Sequence, residues 1–210
     1  MKSYFTKSTG TSIILGAILM LATMVFHPSG GSIEKILKES KSLSIIHSLA
    51  IFSIPILMFG LWGLTMSIID KYRFAIFGFI FASLALIAAL LAALINGLTL
   101  PFFLGKYAID GSKKEIILKA IVNYSFALNK SLTYICIAFF CVSILIYSIT
   151  ILLFSKFPKW IGYIGVFIVL FAIIIAVNGF VLTTLYGFRI FAFGLVSWLV
   201  SAGIILLRSK

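Results

Sequence analysis

Uncharged, largely apolar runs alternate along the chain with short basic or glycine-containing segments. Six such runs cover residues 8–26, 43–69, 74–104, 131–155, 160–188 and 190–207. A helix crossing the hydrocarbon of a bilayer needs about 20 mostly apolar residues. The pattern therefore predicts an all-α, polytopic transmembrane helical bundle of about six spans, a single integral membrane domain over residues 1–210. The third and fifth runs exceed what a bilayer needs, so part of each is expected to tilt or lie at the interface. The first run, flanked by Lys2 and Lys7, has the outline of a secretory signal. It lacks a small-x-small cleavage site and runs directly into His27-Pro28, so it reads as an uncleaved first helix.

Composition sharpens this reading. Hydrophobic residues make up 62% and charged residues 10% of the chain, against roughly 45–50% and ~25% in soluble domains. The lipid bilayer is the solvent this balance requires. The net charge of +12 would suggest nucleic acid in a soluble protein. Here the basic residues lie almost entirely between apolar runs, so they read as topology signals and contacts to anionic headgroups, and no nucleic-acid partner is expected. Cys136 and Cys141 fall in one run, about 140° apart on a helix, too far round for an intrahelical disulfide.

Six spans place both termini on one side. Lys/Arg counts are near parity between the two sides, but the short turns Asp70-Lys71-Tyr72-Arg73 and Lys156-Phe157-Pro158-Lys159 are basic. Short loops carry the positive-inside signal most reliably, so both termini are expected in the cytoplasm. The longer outer segments begin alike, Gly31-Ser32-Ile33-Glu34 and Gly111-Ser112-Lys113-Lys114-Glu115, and continue as basic amphipathic stretches. Each is expected to form a short helix on the outer membrane surface, over about 32–42 and 112–124. Ile36, Leu37, Ile117 and Leu118 would then dip inward, and Ser112 and Glu115 would form a capping box. Asn96-Gly97 and Asn178-Gly179 also recur late in the third and fifth runs. Two readings of these matches stand: a repeated helical hairpin, and chance similarity in low-complexity apolar sequence.

Helices pack in lipid through small residues that let backbones approach. Ala85, Ala89, Ala93 and Gly97 recur every fourth position in the third run, which predicts a central helix. Pro55 interrupts the second run's hydrogen bonding and either kinks that helix to open a cavity or merely curves it.

Candidate chemistry is sparse. No run contains an internal Asp or Glu, which argues against the carboxylate relays of proton pumps and cation-coupled carriers. The histidine–glutamate zinc-protease pattern and Gly-rich phosphate loops are absent. The two histidines, His27 and His47, fall at adjacent outer helix ends, where they can meet. Two imidazoles are ligands for a haem iron or a metal; hydrogen bonding at helix ends is the plainer role. Asn96, Asn178, Tyr186 and Arg189 form a second polar set toward the same side. With the histidines they define a candidate ligand-binding site: a shallow outward cavity for an amphipathic molecule. Interhelical hydrogen bonding and snorkelling are the competing roles.

The segment Lys156-Phe157-Pro158-Lys159-Trp160-Ile161-Gly162-Tyr163-Ile164-Gly165 resembles a turn in bacterial six-helix membrane proteins of unknown function. The resemblance implies a bacterial inner membrane and brings no assigned activity or catalytic residue. The expected function is a non-catalytic membrane protein that binds a lipid-like or small amphipathic ligand or supports a membrane complex. Alternatives are a haem- or metal-dependent redox enzyme built on His27 and His47, and a uniporter or small-molecule channel.

Overall fold

A computed structural model describes residues 2–28, 30–69, 73–108 and 115–209. The expected turn at Asp70-Lys71-Tyr72 and the Ser112 half of the capping box lie outside the described residues. Every regular element described is helical: α1 (Lys2–Phe26), α2 (Ile33–Lys38), α3 (Ser40–Ile68), α4 (Ala75–Ala93), a π-helical segment (Leu94–Thr99), α5 (Leu100–Tyr107), α6 (Glu115–Phe154), α7 (Lys159–Val177) and α8 (Leu185–Arg208). Six helices are long and apolar enough to cross a membrane: α1, α3, the continuous α4–π–α5 rod, α6, α7 and α8. The protein is an all-α, multi-pass membrane bundle.

The spans form a closed ring in chain order. α1 packs on α3, α3 on α4, α4 on α6, α6 on α7 and α7 on α8, and α8 closes the ring against α1. Small residues set the closest contacts. Gly60 and Gly63 of α3 lie against Ile13 and Thr9 of α1, and Gly10 of α1 meets Gly203 of α8. That last contact puts both ends of the chain at one end of the bundle, here the terminal end; the opposite one is the loop end. The expectation that the third span is central gives way to this ring. Gly78, Ala82 and Ala85 are buried, and the Gly78 carbonyl accepts a 2.7 Å hydrogen bond from Ser143 of α6. Ala89, by contrast, is half-buried beside a cavity. It packs at the edge of the core where the cavity begins.

The terminal half of the ring is filled. Leu57, Leu64, Tyr147, Ile161, Trp198 and Leu206 are each 0–1% exposed. The Tyr147 and Trp198 rings stack at 5.9 Å, Tyr147 and Thr65 share a 2.8 Å hydroxyl hydrogen bond, and Trp198 Nε1 donates to the Ile161 carbonyl at 3.2 Å. A second, smaller core caps the loop end, where Ile36 of α2, Leu100 and Leu104 of α5, and Leu118 and Val122 of α6 cluster.

That cap changes the picture of the outer segments. α2 forms with Ser32 as its N-cap, but the residues after 115 do not make a separate surface helix. They are the first turns of α6, which runs unbroken for 40 residues, about 60 Å at ~1.5 Å per residue and twice the hydrocarbon thickness. Ile36 and Leu118 bury in the cap core instead of dipping into lipid, while Ile117 stays 61% exposed. The boundary between the last two spans also moves. α7 ends at Val177, and Gly179 adopts a left-handed φ of 84°. The chain re-enters helix at Leu185, where the Thr184 hydroxyl accepts from Gly187 N at 3.0 Å.

Candidate functional site

The loop half of the ring encloses a cavity of about 470 Å³. Its mouth is polar and lies at the loop end, with Gly30, Lys35, Glu39, Asn129, Lys130 and Thr184 around it. Its floor is apolar, formed by Ile54, Leu86, Phe140, Phe191 and Leu195. From Lys130 at the mouth to Phe140 at the floor is ten residues of α6, about 15 Å of depth. Ser53 of the wall and Ile54 of the floor immediately precede Pro55, which sits inside α3 without ending it.

His27, His47 and Asn96 all line this cavity. His27 follows the last turn of α1, and His47 lies in the second turn of α3. Their Nε2 atoms are 3.2 Å apart, with ring centroids at 4.8 Å and planes inclined at 67°. The Nδ1 of His27 is 2.8 Å from the Pro28 carbonyl, and that of His47 is 2.8 Å from the Leu43 carbonyl. Burial, with the neighbouring His47 and Arg189, holds the His27 imidazole well below its ordinary value, at about 4, against the pull of the Pro28 carbonyl. His27 is therefore neutral at physiological pH.

The π-helical segment positions the rest. It carries Asn96 and Gly97, and its wider turn re-aims a few side chains within an otherwise continuous span. Gly97 is buried against the His47 ring, which a Cβ there would overlap. The Asn96 side-chain oxygen accepts from Ser125 of α6 at 3.1 Å, tying the segment to the neighbouring wall. Nothing in the sequence pattern marked the π turn.

The remaining members of the expected set do not line the cavity. Arg189 is close, but its donors are engaged by backbone. Its Nε and a terminal nitrogen each donate at 3.0 Å, to the Met24 and His27 carbonyls, closing the C-terminus of α1. Asn178 is exposed and donates to the Ile174 carbonyl at 2.7 Å, as the residue that ends α7. Tyr186 is 68% exposed, with its ring edge-on to Phe180. Both miss the cavity because the break between the last two spans falls at 178–184, some ten residues before the expected one. Lys130, expected from the sequence as a contact for a ligand head, stands at the mouth with Asn129, which the sequence did not single out, one helical turn before Thr133. For Asn129 its place where a basic stretch enters an apolar run was the available signal.

Among the described residues, no group of three or more His, Cys, Asp or Glu side chains is placed to hold a metal ion. Comparison of the chain with family models, with curated proteins and with solved structures finds no match.

Proposed function

We propose that this membrane protein binds a lipid-like or other small amphipathic molecule in the loop-end cavity and is not itself a catalyst. The observation that carries the reading is the cavity's polarity gradient. Two lysines, Lys35 and Lys130, stand at a mouth whose floor, about 15 Å away, is aliphatic and aromatic. Small-molecule sites are mostly apolar concavities of about 300–1,000 Å³ with a few polar groups, and this one falls in that range. A tail among Ile54, Leu86 and Phe140 would leave an acidic or zwitterionic head beside the lysines. The filled terminal half favours binding over passage through the ring.

The basic turn at Lys156–Lys159 supports a cytoplasmic terminal end. Lys159 there donates to the carbonyls of Ile151, Leu152 and Ser155, so it also closes the end of α6. The resemblance of this turn to those of bacterial six-helix proteins supports a bacterial inner membrane as the location.

Native mass spectrometry of protein extracted from its own membranes tests the reading. The expected result is a bound amphiphile on the wild type, lost in Ala89→Trp, whose indole would occupy the cavity. An empty wild type, or equal retention by the folded variant, would contradict it.

A further inference from the structure

The histidine pair has a property that binding an amphiphile does not use. A carbonyl oxygen only accepts, so the Pro28 and Leu43 carbonyls require a hydrogen on each Nδ1. Both Nε2 atoms are then unprotonated in the neutral rings, and they face each other at 3.2 Å. Two lone pairs at that separation repel unless an electron-pair acceptor lies between them.

We propose that His27 and His47 are paired ligands of a divalent transition-metal ion, held between their Nε2 atoms at the side of the cavity. Metal–imidazole bonds of about 2.0–2.1 Å and the observed separation give an N–metal–N angle of roughly 100–106°, close to tetrahedral. The inclined, unstacked rings suit two adjacent ligands. A histidine that binds a metal almost always donates its other N–H to a carbonyl or carboxylate, which fixes the tautomer; here both do. The pair is also held in place before any ion arrives, His47 by the close approach at Gly97 and the His27 backbone by Arg189.

Imidazole donors suit zinc, copper, nickel and cobalt. With two protein ligands, the other coordination positions face the cavity and take water or an anionic group from a bound molecule. Glu39, Lys35 and Lys130 are the charged side chains lining that space, and Arg189 lies beside it, bonded to the Met24 and His27 carbonyls. Axial ligation of one haem would need the two Nε2 atoms on opposite faces of the macrocycle, about 4 Å apart. The pair would have to separate to admit it.

The test uses full-length protein carrying no polyhistidine tag, in nanodiscs, stripped with a chelator and titrated with Co2+ and then Zn2+. The expected result is one equivalent of Co2+ with the visible absorption of a near-tetrahedral nitrogen site, displaced by Zn2+. His27→Gln and His47→Gln should each lose that spectrum while keeping the wild-type elution profile and helical circular dichroism. Asn178→Gln, outside the cavity, should keep it. If His47→Gln misfolds, His27→Gln alone decides, since its ring lies beyond the end of α1. Three results would overturn the proposal: no saturable Co2+ binding by the wild type, unchanged spectra in the folded histidine variants, or an imidazole proton shared between the rings that added metal does not displace.

Discussion

A methyl group added at Gly97 would overlap the His47 ring, whereas one added at Gly105, eight residues further along the same rod, would meet nothing within 4 Å. Gly97→Ala is expected to lower the thermal midpoint, with overpacking costing about 1–3 kcal/mol. Gly105→Ala should leave it unchanged or raise it, since alanine is favoured over glycine in helices by about 1 kcal/mol. Thermal scanning of the two variants in the same detergent checks the contrast. Arg189→Gln removes charge-assisted donors from the two carbonyls at the end of α1. It should cost stability, whereas Asn178→Ala at an exposed helix end should cost little; the same scan reads both. At this scale the sequence was informative where polarity is rare. His27, His47 and Arg189 stand out in an apolar chain, and all three meet at one helix end. Which of them opens to the cavity was not legible, because Arg189 spends its donors on backbone that only the fold brings near it.

Helix number followed from hydropathy, but helix ends did not. Residues 178–184 read Asn-Gly-Phe-Val-Leu-Thr-Thr, too apolar to interrupt a hydrophobic run. The break there rests on the left-handed Gly179 and the Thr184 cap, both local backbone events. The start of α6 failed differently. Its basic amphipathic turns fit a surface helix equally well, and only burial of Leu118 and Val122 against α2 and α5 distinguishes an extended rod. The small-residue pattern marked close packing at Gly97, and equally close approaches join α1 to α3 and α6 to α7. A Cβ at Gly63 would overlap the Thr9 side chain, while one at Gly194 would meet Ile168 at 3.5 Å, an ordinary contact. Gly63→Ala should broaden or shift the monodisperse elution peak and lower its melting temperature; Gly194→Ala should not. Equal behaviour of the two would remove the α1–α3 seam as a determinant of assembly.

For the whole molecule, the decisive feature is a ring of six spans with its terminal half filled and its loop half hollow. Hydropathy alone cannot distinguish this from a central-helix bundle or an open pore. That difference depends on where Thr65, Tyr147 and Trp198 meet, across elements far apart in the chain. Site-directed cysteine labelling measures it most directly. In a background with Cys136 and Cys141 replaced by alanine, Ala50→Cys reports on the cavity wall and Leu57→Cys on the filled half. A membrane-impermeant thiol reagent applied to oriented vesicles should label Ala50→Cys from the loop-end side only, and Leu57→Cys from neither side. Labelling of either position from the terminal side would show a path through the ring and contradict the one-ended cavity.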